Sequence, residues 1–114
     1  MKRNLLNRIP DRLPDELTEI LAESRGVKIE RIVSRGHCSQ PGFWYDQPEN
    51  EFILLLHGAA RLLFEGDDQP VRLKAGDCLN IPPGRRHRVE WTEPGQNTVW
   101  LAVYFPTTAS PAEP

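Results

Sequence analysis

The residues best placed for chemistry lie between positions 37 and 91. Glu51 heads the run EFILLLH, which is apolar on both faces, and a carboxylate there is costly to bury without a partner. It must sit at a mouth, pair with a cation, or both. His87 opens a second run, HRVEWT, in which His87, Val89 and Trp91 alternate onto one face. Tyr45 belongs to the aromatic stretch Phe43-Trp44-Tyr45, and its hydroxyl needs a partner if it turns inward. With Trp91 and Trp100 these rings predict a cavity with aromatic walls and one polar corner, suited to a small molecule. Arg85, Arg86 and Arg88 form a basic knot beside His87 that can attract a carboxylate or phosphate. The expected ligand pocket is Trp44, Tyr45, Trp91 and Arg85. Cys38 and Cys78 are expected to be reduced thiols, buried as small apolar groups.

Short strands must position these residues. Turn signals arrive at regular spacing as SQPG, QPEN, HG, EGDDQP, KAGD, PPGRR and TEPGQN, with FWYD, EFILLL, AARLLF, VRLK, CLNI, HRVEWT and TVWLAVYF between them. That cadence predicts an all-β antiparallel sandwich or barrel. In EFILLLH, Glu51, Ile53, Leu55 and His57 should share one face, and Phe52, Leu54 and Leu56 the other. The N-terminal part reads differently. Leu17, Ile20 and Leu21 recur at helical spacing, with Asp15 as a start cap and Gly26 as a C-terminal cap. The expected organisation is an extension over 1–26 with one short helix packed on the barrel, a barrel over 27–106, and a disordered tail over 107–114.

At 114 residues the chain suffices for one core. Its formal net charge of −2, with mixed signs, gives no broad basic footprint for nucleic acid. No apolar run approaches the roughly 20 residues of a spanning helix, and MKRNLLNRIP has no signal-peptide core. A cytoplasmic protein without membrane partners is the expectation. The apolar outer face of EFILLLH needs a cover, which predicts a homodimer.

The string Gly76-x5-Pro82-x-Gly84-x2-His87 resembles the second motif of the cupin superfamily, and Glu51-x6-Gly58 resembles the end of the first. The resemblance implies a cupin β-barrel, a double-stranded β-helix of jelly-roll type, whose glutamate and histidine usually bind a divalent metal (Zn, Fe, Mn or Ni). In the family pattern two histidines precede the glutamate. Here Tyr45 and Gln47, or Trp44 and Asp46 at the longer spacing, stand in their places. A wider string, GHCSQPGFWYDQPENEFILLLHGAARLLFEG, is similar to small bacterial cupins of unassigned function that carry a W-Y-D-Q element instead of the histidine pair. The implied metal set is Gln47, Glu51 and His87, with Asp46 and His37 as alternatives. Two functions follow. One is a binding protein whose polar corner is Gln47, Glu51 and His87. The other is a metal-dependent dioxygenase, isomerase or decarboxylase acting on a small, anionic substrate, with Tyr45 or Glu51 as general acid/base.

Overall fold

The computed structural model describes residues 2–107. Eight strands follow one another: β1 (Leu17–Ser24), β2 (Val27–Ser34), β3 (Asn50–His57), β4 (Ala59–Phe64), β5 (Val71–Lys74), β6 (Cys78–Ile81), β7 (His87–Thr92) and β8 (Thr98–Phe105). They form a five-stranded sheet ordered β1-β2-β8-β3-β6 and a three-stranded sheet ordered β5-β4-β7. All pairings are antiparallel, as in a jelly roll. The sheets enclose a core of Ile53 and Leu55 from β3, Leu62 and Phe64 from β4, Ile81 from β6, and Trp100 and Ala102 from β8.

No helix forms over the described residues 2–26. Residues 17–24 are instead the edge strand β1, paired along its length with β2. Leu21 is the extra residue of a β-bulge between Ile20 and Ala22. Leu17 and Ile20, both ahead of the bulge, pair with Val33 and Glu30 in unbroken register and so point to opposite faces, with Ile20 54% exposed; their helical spacing marks no shared apolar face. Gly26 is not a helix cap either. Arg25 (φ 37°) and Gly26 (φ 81°) both take positive φ, as a type I′ hairpin turn requires, and this turn folds β1 back onto β2. The strand β2 is covered from outside by the irregular N-terminal segment. Fully buried Arg31 donates to the carbonyl oxygens of Leu5 (3.0 Å), Asn7 (2.7 Å) and Arg8 (3.2 Å), and to Glu19 Oε1 (2.6 Å).

Strand β3 follows the predicted alternation as far as Leu55: Glu51, Ile53 and Leu55 are buried, and Phe52, Leu54 and Leu56 are half-buried outside. Register then shifts between Leu55 and His57, so His57 leaves the inner face. Both cysteines are free, but each is exposed rather than buried. The expected disordered tail falls almost wholly on residues 108–114, outside the described residues. Among the described residues no helix is long and apolar enough to cross a membrane.

Candidate functional site

Two neighbouring ladders bring the polar corner together. Glu51 is the second residue of β3, and His87 opens β7 after the turn Pro82-Pro83-Gly84, in which Arg85 N–H donates to Pro82 O at 3.2 Å and Gly84 takes φ 71°. The segment before β3 runs against the start of β7. Tyr45 and His87 exchange both backbone hydrogen bonds, at 2.7 and 3.1 Å, and Gly84 N–H donates to Gln47 O at 2.9 Å. Tyr45, Gln47, Glu51 and His87 are thereby fixed by backbone, independent of any ligand.

Glu51 Oε1 accepts a hydrogen bond from Gln47 Nε2 at 2.7 Å and lies 3.4 Å from His87 Nε2. Both side chains are withdrawn from solvent, Glu51 at 8% exposure and His87 at 3%. The other ring nitrogen, His87 Nδ1, lies 2.9 Å from the Arg85 carbonyl oxygen. A carbonyl can only accept, so Nδ1 carries a proton and Nε2 is the atom free to accept or receive one. The imidazole is clamped between Tyr45, stacked at 5.4 Å between centroids, and Phe64 at 5.9 Å.

This corner opens into a cavity of about 160 Å³ inside the barrel. Ile53, Leu62, Ile81 and Val89 make its apolar wall, and Tyr45, Trp100 and Tyr104 supply rings. Glu16, Thr18 and Glu30 line it on the side of β1 and β2. Trp100 Nε1–H donates to Ser34 Oγ at 3.3 Å, and that hydroxyl donates to Glu16 Oε2 at 2.7 Å, so a short polar chain links two residues of the cavity wall. Burial raises the Tyr104 phenol far above its ordinary value, and the Glu51 and Glu30 carboxylates push it the same way. Tyr45, at the mouth and 36% exposed, is raised by partial burial and then by Glu16 and Glu51.

Among the residues expected in the site, Gln47, Glu51, His87 and Tyr45 come together. The others do not. Trp91 was expected to share the inner face of β7, but Glu90 is a bulge residue: Leu62 pairs with Val89 and Arg61 with Trp91. The extra residue turns Trp91 outward, where the Arg61 guanidinium lies 4.5 Å from its ring centre, and Thr92 turns inward. Trp44 is also absent from the cavity wall and lies about 6 Å from the guanidiniums of Arg86 (5.9 Å) and Arg88 (6.0 Å). Arg85 is drawn away from the cavity by the Glu65 carbonyl (2.9 Å) and Asp67 (3.3 Å). Asp46 is exposed and lies 4.0 Å from Arg86. His37 accepts from Arg35 N–H through Nδ1 at 2.9 Å and sets Nε2 3.1 Å from Pro14 O, outside the cavity wall.

A catalytic divalent metal generally takes three protein ligands. Among the described residues no group of three His, Cys, Asp or Glu side chains is placed to hold one. Glu51 and His87 are two, and Gln47 turns its amide nitrogen, not its oxygen, toward Glu51. The donors present do not fit a tightly held metal.

Sequence reasoning missed Tyr104, Glu30, Glu16 and Thr18. Tyr104 was readable in part, because it alternates with Trp100 and Ala102 in TVWLAVYF. That it stands directly across from Glu51 depends on the pairing of β3 with β8, between residues some fifty apart.

The sequence profile of the cupin domain family matches residues 33–104. No curated protein matches the chain. A crystal structure from Ralstonia eutropha JMP134, of a protein described as a candidate mannose-6-phosphate isomerase, is 45% identical, with a TM-score of 0.90 over 94% of this chain and 99% of that one. A cupin superfamily protein from Desulfitobacterium hafniense is 23% identical, with a TM-score of 0.71 over 87% of this chain and 84% of its own. KdgF from Halomonas sp. is 20% identical, with a TM-score of 0.68 over 92% and 93% of the two chains. The last two show the shared fold alone. With the profile spanning more than half its length and both motif residues meeting inside the barrel, this chain is a member of the cupin family.

Proposed function

We propose that this cupin is a small-molecule binding protein whose ligand occupies the barrel cavity. One observation carries the reading: a cavity of about 160 Å³ with apolar and aromatic walls ends in a polar corner that backbone hydrogen bonds hold in place. Preorganisation of that kind lowers the entropy lost when a ligand binds. The enzymatic alternative in its metal-dependent form lacks a third strong ligand. Tyr45, with its phenol raised by burial and by neighbouring carboxylates, keeps its proton at neutral pH and so can donate a hydrogen bond but not act as a general base.

An anionic substrate finds little support. The three arginines beside His87 are engaged outside: Arg85 with Asp67 and the Glu65 carbonyl, Arg86 with Glu65 at 2.8 Å, Arg88 with Glu90 at 3.2 Å. The described cavity lining includes no Lys or Arg. The sugar phosphate in the Ralstonia protein's description would therefore meet carboxylates here without a counter-charge.

The test is an amide and indole NMR screen of neutral and charged small compounds, reading Trp100 Nε1–H and the amides of Tyr45 and His87. Binding compounds should shift these signals in the native protein but not in Val89→Trp, where an indole fills the cavity. Shifts that persist unchanged in Val89→Trp would place the ligand elsewhere and overturn the reading.

A further inference from the structure

The charge of the cavity says what kind of ligand it should prefer. Glu16, Glu30 and Glu51 line it, the last two buried at 7% and 8% exposure. Glu30 has one cation, Lys28, whose Nζ lies 3.3 Å from Oε2 and 5.0 Å from the Tyr104 ring centre. Glu16 and Glu51 are met by neutral donors, Ser34 Oγ and Gln47 Nε2, both at 2.7 Å. His87 supplies an independent observation. Its ring is 3% exposed, its Nδ1 proton is spent on Arg85 O, and Nε2 faces Glu51 Oε1 at 3.4 Å. A lone pair on Nε2 facing a carboxylate oxygen is repulsive unless a proton or a positively charged donor joins them. An ammonium nitrogen about 2.8 Å from each atom, the usual length of a charge-assisted hydrogen bond, would sit to one side of that 3.4 Å line and donate to both. The rings of Tyr45, Trp100 and Tyr104 line the same cavity, and aromatic rings attract a cation more than an anion.

We infer that the cavity takes a small organic cation, a primary alkylammonium whose N–H groups bridge Glu51 Oε1 and His87 Nε2 while its apolar part lies against Ile53, Leu62, Ile81 and Val89. The inference rests on the binding reading above and adds the ligand's charge. Neutral molecules of the same shape lose the charge-assisted bonds, and carboxylates add repulsion from Glu51 and Glu16.

Three probes of matched shape separate the two claims: cyclohexylammonium, cyclohexanol and cyclohexanecarboxylate, titrated at pH 7.5 and low salt into the native protein. Readouts are Trp100 Nε1–H and the Tyr45 and His87 amides. The ammonium should bind at least tenfold more tightly than the alcohol, and the carboxylate should leave these signals unmoved. Glu51→Gln should remove most of that preference. Because Glu51→Gln alters a buried site on which folding itself depends, Glu16→Gln, at an exposed position, serves as the second variant and should reduce the preference severalfold. If the alcohol or the carboxylate shifts the same signals with equal or higher affinity, the cavity is a binding site and the cation inference falls alone. If none of the three moves those signals up to 20 mM, both the inference and a cavity site for ligands of this size are overturned.

Discussion

Glu51 and His87 share a position that burial makes demanding, and their partners limit what each can do. Gln47 already occupies one lone pair of Glu51 Oε1, and the Arg85 carbonyl fixes the proton of His87 on Nδ1. One imidazole and one carboxylate leave a divalent cation mostly to water. Zn, Mn, Ni and Fe(II) should each bind more weakly than about 10⁻⁴ M, a dissociation constant worth about 5.5 kcal/mol. Titration calorimetry on untagged protein checks this, and stoichiometric micromolar binding that is lost in His87→Ala would reverse the conclusion. Tyr104 makes a second prediction. Its folded-state pKa is raised, so the phenol's neutral form is favoured by folding. Its contribution to stability is therefore fully present below the unfolded tyrosine value of about 10 and is lost as pH rises above that. Urea unfolding at pH 9 and pH 11 should show the native protein losing more stability than Tyr104→Phe over the same interval. Equal losses would mean the phenol is not held neutral by the fold.

At the scale of elements, single inserted residues decide which side chains face the cavity. Leu21 in β1, Leu56 in β3 and Glu90 in β7 are each extra to the ladder, and each flips everything beyond it to the opposite face. Gly58, between β3 and β4, takes φ 88°, and a Cβ there would lie 2.5 Å from Thr98 Oγ1 and 2.7 Å from Asn97 O. Gly58→Ala should cost about 3 kcal/mol or more, from left-handed backbone strain plus steric overlap. Gly66→Ala has a similar φ of 92° but nothing within 4 Å, and should cost only about 1–2 kcal/mol. Chemical denaturation of the two variants side by side distinguishes them; equal costs would show that close approach at Gly58 is not the constraint. The N-terminal segment depends on Arg31, and on Arg35, which donates to the Pro10 and Asp11 carbonyls at 3.1 and 2.8 Å. In Arg31→Leu the carbonyls of Leu5, Asn7 and Arg8 lose the guanidinium that holds them, and hydrogen bonds to a charged group are worth about 1.5–3 kcal/mol each. The segment should therefore detach into water. Trypsin should cut after Arg8 or Arg12 several times faster than in the native protein, while the barrel core stays resistant; unchanged cleavage would show that other contacts hold the segment.

For the whole molecule, the outer face of the large sheet remains to be covered. Phe52, Leu54 and Leu56 of β3 lie beside Leu101, Val103 and Phe105 of β8, with Phe52 opposite Val103 and Leu54 opposite Leu101, and all six are only half-buried. We propose that a second copy of the chain packs on this stripe, since an uncharged apolar face present on both partners can pair with itself about a two-fold axis. Light scattering at micromolar concentration should give twice the chain mass of 13.0 kDa, and Leu54→Glu should return the monomer. A monomer mass for the native protein would sink the proposal.

Gly76, Pro82, Gly84 and His87, with Glu51 and Gly58, were enough to name the family and to pick the two residues that meet at the polar corner. Turn glycines and prolines act locally, and strand alternation is a property of the backbone, so both are written along the sequence. The all-β architecture was legible for the same reason. The N-terminal strand was not, because Leu17, Ile20 and Leu21 carry helical spacing although Ile20 is exposed on the opposite face from Leu17, and only pairing with β2 selects the extended chain. Trp91 and Arg85 were misplaced by the bulge at Glu90 and by the pull of Asp67, a residue eighteen positions away. The acidic lining of the cavity was likewise hidden. Glu16, Glu30, Glu51 and Tyr104 come from four separate stretches of chain, and only closure of the sheets sets them around one space. Local sequence determined which turns and strands form; non-local pairing, with its register shifts, decided which side chains share the cavity and therefore what charge a ligand meets there.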